Sequence, residues 1–234
     1  MKKISVVIPV YNEHRTVSEI IARVQDLNLA AVEKEIIVID DFSNDSTREE
    51  LKRINSNGGN IKILYHDKNM GKGAALRTGF AAVSGDYVII QDADLEYDPQ
   101  DYPLLMQPLL EDRADVVYGS RFLGNKPHRT IYFWHFFGNR FLTLFSNILT
   151  NLNLTDIEVC YKAFKSDLLK KIILKENGFG FESEFTARIS RLKLRIYEVG
   201  ISYYGRTYEE GKKIGWMDGL WSFWCIVKYN LFCR

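Results

Sequence analysis

The first half of the chain alternates four times between a short apolar run and a longer amphipathic or charged stretch. The apolar runs, at residues 4–9, 35–39, 61–66 and 87–90, have the length and composition of buried strands. The stretches between them carry helical spacing or helix-forming residues. This alternation predicts an α/β fold: a doubly wound, mostly parallel sheet flanked by helices and joined by right-handed crossovers.

Size and composition limit the classes of protein that fit this pattern. The 234 residues, 46% of them hydrophobic, suit one large domain at 1–215 followed by an amphipathic, Trp-rich segment at 216–234. A formal net charge of +1 favours no nucleic-acid partner. Three cysteines without a Cys-x-x-Cys pair argue against a disulfide framework or a zinc site. The N-terminus has no secretory signal pattern, so we expect a cytoplasmic protein.

Acidic side chains follow the fourth apolar run. Ligands of doubly wound sheets bind at the carboxyl ends of the strands. If the chain stays extended beyond Gln91, the two-residue period puts Asp92, Asp94 and Glu96 on one face. Carboxylates that close repel each other by roughly 1 kcal/mol per pair in water and about 4 kcal/mol when partly buried. The cluster therefore predicts either an acidic turn or a site for Mg²⁺ and a phosphorylated ligand.

A glycine-flanked lysine, Lys72, precedes the third predicted helix. Gly71-Lys72-Gly73 is not a P-loop, because no Ser or Thr follows the lysine, and it lacks the third glycine of a dinucleotide fingerprint. Two interpretations stay open for this loop. It is a flexible start to the helix, or Lys72 contacts a phosphate of the nucleotide.

Several motifs at the predicted strand ends carry a family resemblance. VIPVYNE at 7–13, IDDFSND at 39–45 and QDAD at 91–94 together resemble the inverting family-two glycosyltransferases. That family has the GT-A fold, a Rossmann-like sheet. The branch containing dolichyl-phosphate mannose synthase and bacterial polyprenyl-phosphate glycosyltransferases is similar in further motifs: GSR at 119–121, CYKAF at 160–164, ESE at 182–184, and YGR at 204–206 continuing to Lys213.

The resemblance implies a metal-dependent enzyme and a role for each matching residue. Residues implied at the nucleotide sugar are Pro9, Tyr11, Glu13, Asp92 and either Asp41 or the adjacent Asp40. A divalent metal, Mg²⁺ or Mn²⁺, would be held by Asp94 and Asp92, with Glu96 as a third ligand or an idle neighbour. Residues implied at the donor diphosphate or the acceptor phosphate are Arg121, Arg140, Arg206 and Lys212 or Lys213. Asp92, Asp94, Arg121 and Arg206 are the implied catalytic residues.

The resemblance also implies the substrates, a UDP- or GDP-sugar and a polyprenyl phosphate such as undecaprenyl or dolichyl phosphate. A phosphate acceptor arrives already anionic, since its second pKa is about 6, and it needs no general base. A saccharide or other hydroxyl acceptor is the alternative and would need a carboxylate base, for which Glu184 and Asp156 are the candidates. A non-catalytic, membrane-associated binder of nucleotide sugars is a third interpretation.

Two aromatic-rich segments bear on a lipid acceptor. Residues 131–154 and 216–232 come near the length of a membrane span but are interrupted by charged and amide side chains. Amphipathic helices of this kind lie in the plane of a membrane interface. We therefore expect a peripheral protein on the cytoplasmic face of the membrane. The alternative is that both segments pack on protein.

Overall fold

Seven strands form one sheet in the computed structural model, which describes residues 1–29, 32–56, 60–124, 126–130, 132–213 and 215–233. The strands are β1 (Lys2–Val10), β2 (Val32–Asp40), β3 (Ile61–Tyr65), β4 (Tyr87–Ile90), β5 (Val116–Ser120), β6 (Lys162–Lys165) and β7 (Ile196–Gly200). Their order across the sheet is β3-β2-β1-β4-β6-β5-β7. Strands β1 to β4 are parallel, and β6 runs antiparallel to both of its neighbours. The predicted doubly wound, mostly parallel sheet is confirmed.

Helices cover the sheet. They are α1 (Val17–Asp26), α2 (Thr47–Ser56), α3 (Lys72–Ala81), α4 (Tyr102–Leu110), α5 (Phe133–Thr150), α6 (Phe181–Ile189) and α7 (Trp216–Val227). A short 3₁₀ helix, Ser166–Lys170, follows β6. A one-turn π-helical extension, Lys228–Phe232, follows α7. The helices expected between the first four strands are therefore confirmed.

Strand β6 was not predicted. It is four residues long and begins with a lysine, which is a weak signal for a buried strand. The structure buries Lys162 completely, and its ammonium group donates to the backbone carbonyls of Ile157 and Val159. Because a buried polar group is stable when it is hydrogen-bonded, this lysine can stand in the middle of the sheet.

The carboxyl ends of β1, β2 and β4 are aligned at the centre of the sheet. Val6 and Val7 of β1 lie opposite Ile89 and Ile90 of β4, and all four are essentially inaccessible to water. Burial on both faces explains why these strands are continuous apolar runs rather than alternating ones. Since β1, β2 and β4 are parallel neighbours, the loops that follow them meet at one edge of the sheet.

Glu35 joins β1, β2 and the turn before β4 at the opposite edge. Its carboxylate pairs with Lys3 at 2.8 Å and accepts hydrogen bonds from the Ser84 N–H and hydroxyl at 2.7 and 2.6 Å. Burial alone would raise the pKa of Glu35, but the bonds from Lys3, Ser5 and Ser84 outweigh it and lower the pKa to about 2. The ionised carboxylate is therefore the form that the fold stabilises.

Replacing Glu35 by glutamine is expected to lower the free energy of unfolding at pH 7 by about 1–2 kcal/mol, after allowance for solvent screening. The pKa is lower in the folded than in the unfolded chain. This contribution is therefore present above the unfolded pKa and is lost as the pH falls towards 2. Urea unfolding of both proteins from pH 7 to pH 3 measures it. Glu33→Gln, at an exposed position of the same strand, is the control, and a difference that does not change with pH would contradict the prediction.

Helices α5 and α7 present large apolar side chains to solvent. The residues concerned include Phe133, Trp134, Phe137, Leu144, Ile148, Trp216, Met217, Leu220 and Trp224, which are 47–75% exposed. The two helices contact each other where Phe223 stacks on Phe145, with ring centroids 4.8 Å apart. No helix within the described ranges is both long and apolar enough to cross a bilayer. Ile131 and Arg234, at the limits of the two predicted segments, lie outside the described residues.

Candidate active site

A tight turn follows β4, and it carries the acidic cluster. The strand ends at Ile90, and the chain turns at residues 93–97, with Leu95 in the left-handed region at φ +62°. The N–H of Glu96 donates to the carboxylate of Asp94 at 3.1 Å. The chain does not stay extended beyond Gln91, because this local hydrogen bond favours a turn. The three acids are close together through the turn and not through strand alternation.

Arg206 gathers acids from two strand ends. Its guanidinium group is 3.1 Å from Glu13 after β1 and 3.1 Å from Asp94 after β4. Its Nε lies 3.6 Å from a carboxylate oxygen of Glu96 and is buried without a hydrogen-bond partner in the described structure. A guanidinium group presents five donors in a fixed plane, so Arg206 retains capacity for a further oxygen ligand.

The segment 203–213 is tied down over this edge of the sheet. Glu96 accepts hydrogen bonds from the Tyr203 hydroxyl at 2.8 Å and from the Arg206 N–H at 2.9 Å. Lys213 pairs with Glu13 at 2.7 Å and donates to backbone carbonyls after β1. Glu96 therefore serves mainly as an anchor for this segment.

Lys72 holds a second pair of acids beside the first. Its ammonium group lies 2.9 Å from Asp92 and 3.1 Å from Glu182, near the beginning of α6. The other oxygen of Glu182 is buried without a hydrogen-bond partner among the described residues. The sequence motif at 182–184 pointed to Glu184 and not to Glu182. Residues two apart on a helix point about 200° away from each other, so only one of the two can face the site.

Burial and neighbouring charges change the pKa values of Asp94 and Lys72 in different ways. The pKa of the Asp94 carboxyl is raised to about 7, chiefly by burial. The charges of Asp92 and Glu96 also raise this pKa, and that of Arg206 lowers it. Burial by itself lowers the pKa of the Lys72 ammonium group, but Asp92 and Glu182 raise it well above its ordinary value. Lys72 is thus a fixed cation, whereas Asp94 is a desolvated carboxyl that a further cation would stabilise as the anion.

The two adjacent acids after β2 are buried and hydrogen-bonded. Asp40 pairs with Arg48 at 2.6 Å. Asp41 accepts from the Nδ1 of His66 at 2.7 Å and from the backbone N–H groups of Met70 and Gly71 at 2.9 and 2.7 Å. Asp41 therefore shapes the loop that leads to Lys72. Its contact with a nucleotide remains a prediction.

Arg121 is engaged with a residue that was itself a candidate base. Its guanidinium group makes a bidentate pair with Asp156, at 2.7 and 2.8 Å, and Asp156 is fully buried. Glu184 is also fully buried and accepts from the backbone N–H groups of Lys175 and Glu176 at 2.8 and 2.7 Å. Neither carboxylate is available as a base in this conformation.

The remaining predicted residues lie around the same edge or outside it. Tyr11 is partly exposed, and the Lys213 ammonium group lies 5.7 Å from the centre of its ring. Pro9 is half-buried near the end of β1. Burial lowers the pKa of Lys212. The nearby charges of Glu96 and Asp94 raise this pKa, and that of Arg206 lowers it. Arg140 lies exposed on α5, outside the cluster.

Metal ligation has a partial basis in this arrangement. The parts of the chain that the structure describes contain no group of three or more His, Cys, Asp or Glu side chains arranged to hold a metal ion. Asp92 and Asp94, however, supply the hard carboxylate oxygens that Mg²⁺ and Mn²⁺ prefer, and Asp94 is desolvated beside other acids. These two residues fit a divalent cation that takes its remaining ligands from water and a diphosphate.

Comparison with known proteins gives a family and several relatives. The sequence model described as Glycosyl transferase family 2 matches residues 5–173. An undecaprenyl-phosphate mannosyltransferase of Micrococcus luteus is 30% identical over 229 residues, covering 93% of this chain and 90% of the relative. A dolichol-phosphate mannosyltransferase of Pyrococcus furiosus is 35% identical over 121 residues, which are 52% of this chain and 34% of that protein.

Solved structures support the fold. Glucosyl-3-phosphoglycerate synthase from Mycobacterium tuberculosis, crystallised with UDP, superposes with a TM-score of 0.75 at 23% identity. The alignment covers 98% of this chain and 80% of that one. A crystal of the same synthase with Mn²⁺, UDP and glucosyl-3-phosphoglycerate gives a TM-score of 0.71. At this identity the likeness establishes the fold, and it confirms the predicted GT-A-like sheet.

Proposed function

The chain belongs to glycosyl transferase family 2 and is a glycosyltransferase, and we propose that its acceptor is a polyprenyl phosphate. In this proposal a sugar moves from a UDP- or GDP-sugar to the lipid phosphate with the help of a divalent cation. The names of the two mannosyltransferase relatives support the acceptor class.

The pairing of the acids is the observation that carries the proposal. In the described structure, the carboxylates that the sequence singled out are bound to a cation or to backbone N–H groups: Glu13, Asp94 and Glu96 to Arg206, Asp92 to Lys72, Asp156 to Arg121, and Glu184 to backbone. Glu182 is also paired with Lys72, through one of its two oxygens. A hydroxyl acceptor needs a carboxylate free to accept its proton. A phosphate monoester is already ionised, so it requires cations that hold it in place.

Two sets of side chains divide the work. Asp94 and Asp92 would hold Mg²⁺ or Mn²⁺, which when bound neutralises charge on the departing nucleoside diphosphate. Arg206, Lys212 and Lys213 line the same edge and would orient the acceptor phosphate towards the sugar. Lys72 keeps Asp92 in position. Tyr11, Glu13 and the loop held by Asp41 would contact the nucleotide.

One assay tests this proposal. Purified protein is incubated with Mg²⁺ or Mn²⁺, labelled UDP- and GDP-sugars, and undecaprenyl phosphate in detergent. Label in an organic-extractable product that mild acid releases supports the proposal. Transfer only to added saccharides, or hydrolysis of the donor alone, would contradict it. The first of these outcomes would favour the hydroxyl-acceptor alternative.

The exposed faces of α5 and α7 support a lipid substrate. Helix α5 contains no acidic residue, and Arg140 and His135 are its basic side chains. An apolar face with a basic fringe suits an anionic bilayer surface. We therefore infer that residues 132–150 and 216–233 form a membrane-facing surface and that the protein is peripheral.

The double variant Trp134→Glu/Trp216→Glu is expected to reduce binding to anionic phospholipid vesicles by about tenfold or more. Both side chains are 75% exposed, so the fold should tolerate the change. Sedimentation with vesicles measures binding, and circular dichroism checks the fold. Ile173→Glu, an exposed apolar position outside these helices, is the matched control. Equal loss of binding in the control, or none in the double variant, would rule out this surface.

A further inference from the structure

Glu176 is a buried carboxylate with no role in the arrangement described so far. It lies in the loop of residues 172–180, the Glu176 loop, and is 5% exposed. The side-chain donors to its carboxylate come from the C-terminal segment. The Tyr229 hydroxyl donates at 2.6 Å, the Lys228 ammonium group at 2.8 Å and the Trp221 indole N–H at 3.3 Å. Helix α7 and its extension are thus bound to one carboxylate.

The backbone of the same loop rests on the residues that flank Lys72. The carbonyl of Asn177 accepts from the Ala74 N–H at 3.1 Å. A Cβ atom added to Gly71 would lie 2.4 Å from the Asn177 oxygen, and one added to Gly73 would lie 2.3 Å from the Glu176 oxygen. These distances leave no room for a side chain, so the two backbones are in direct contact on both sides of Lys72.

The loop is also held from its other side. Glu184 of α6 accepts from the N–H groups of Lys175 and Glu176, and Arg77 of α3 donates to the Glu176 carbonyl. Such buried carboxylate bonds to backbone N–H groups are strong and directional. A displacement of the Glu176 loop would therefore move the beginning of α3, where Lys72 is the first residue and bridges Asp92 and Glu182.

The opposite face of the C-terminal segment is apolar and exposed. Trp221 is 48% exposed while its indole N–H donates to Glu176. Trp216, Leu220 and Trp224 lie beside it on α7, and about half or more of each side chain is exposed. Trp with one polar bond and an exposed ring is typical of a membrane interface. The same residue therefore contacts the proposed lipid surface and the Glu176 loop.

We propose that Glu176 is a positioning residue that couples seating of α7 on a lipid bilayer to the placement of Lys72 against Asp92. This inference rests on the proposed function in taking the bilayer as the occupant of the exposed face. Insertion of the Trp side chains into the bilayer fixes α7. Because Glu176 is bound to α7, residues 71–74 are then held more firmly. The nucleotide site is therefore better ordered on the membrane than in solution.

The test compares the wild type with Trp221→Phe/Tyr229→Phe, which removes two donors to Glu176 and keeps an aromatic side chain at each position. Glu176→Gln is the second variant, and Trp224→Phe, on the same face, is the matched control. Hydrogen exchange of the amides of residues 71–76 is measured with and without vesicles of phosphatidylethanolamine and phosphatidylglycerol. The affinities for UDP and GDP with Mn²⁺ are measured under the same two conditions.

Vesicles are expected to slow exchange at 71–76 and to tighten nucleotide binding by about fivefold in the wild type and the control, the lower end of ordinary coupling between sites. Both variants should bind vesicles as well as the wild type but lose these two responses. Responses that persist in both variants, or no slowing in the wild type, would overturn the proposal. Slowed exchange without binding of either nucleotide would leave this coupling standing and count against the proposed function instead.

Discussion

Replacing Asp94 by asparagine is expected to lower the rate of sugar transfer by about 10³-fold, because stabilisation of the leaving diphosphate is usually among the largest contributions to such catalysis. Asparagine keeps the shape of the side chain and one oxygen but cannot supply the charge that a divalent cation needs. The rate is measured as label entering the lipid fraction. Titration with Mn²⁺ should show weakened metal binding in the same variant.

The fold should survive this change. Asp94 is desolvated and its pKa is raised to about 7, so its charge by itself does not favour the folded state. Arg206 also retains Glu13 and Glu96 as partners. The melting temperature of Asp94→Asn should therefore equal or exceed that of the wild type. Asp98→Asn, directly after the same turn and accepting a hydrogen bond from the Gln100 N–H, is the matched control and should keep its activity. Equal loss of activity in the two variants would remove the special role given to Asp94.

The second large effect is expected at the buried pair of Arg121 and Asp156. Asp156→Asn should lower the free energy of unfolding by about 3 kcal/mol or more, because it leaves a buried guanidinium group without its counter-ion. Arg121 is 10% exposed in its side chain and Asp156 is fully buried, so water cannot compensate the loss. Urea unfolding at pH 7 measures this change.

A double variant separates the two possible roles of Arg121. In Arg121→Met/Asp156→Leu both charges are removed together, and much of the lost stability should return. If Arg121 serves the fold alone, transfer activity returns with it. If the double variant is stable but inactive, Arg121 also contacts a phosphate, as the family resemblance implies. A single Asp156→Asn variant as stable as the wild type would contradict the structural role.

The segment 203–213 bears on the choice of substrate in the proposed function. Its cations pair with Glu13 and Asp94, the acids that the proposed function assigns to the nucleotide and the metal. In the proposed function, a cation and a diphosphate at these acids would compete with Arg206 and Lys213, and the displaced positive charges would suit a second anionic substrate.

Local patterns in the sequence were sufficient for the sheet and for the edge on which the site lies. Apolar runs at β1, β2 and β4, each followed by acids, predict Glu13, Asp41 and Asp94 at one edge, because parallel strands share an end. The boundaries of the helices and strands, and the strand β6, were less predictable. Strand β6 begins with Lys162, a charged residue that is not expected in a buried strand.

The partners of these acids were decided by the tertiary structure. Arg206 reaches Glu13 across 193 positions of the chain, and Arg121 pairs with Asp156 across 35. No periodic pattern encodes such pairs, because they depend on the paths of loops and on the rotation of helices. The rotation of α6 directs Glu182 towards Lys72 and Glu184 towards the Glu176 loop. The sequence by itself determined which chemical groups stand at the strand ends, and packing decided which cation neutralises each of them.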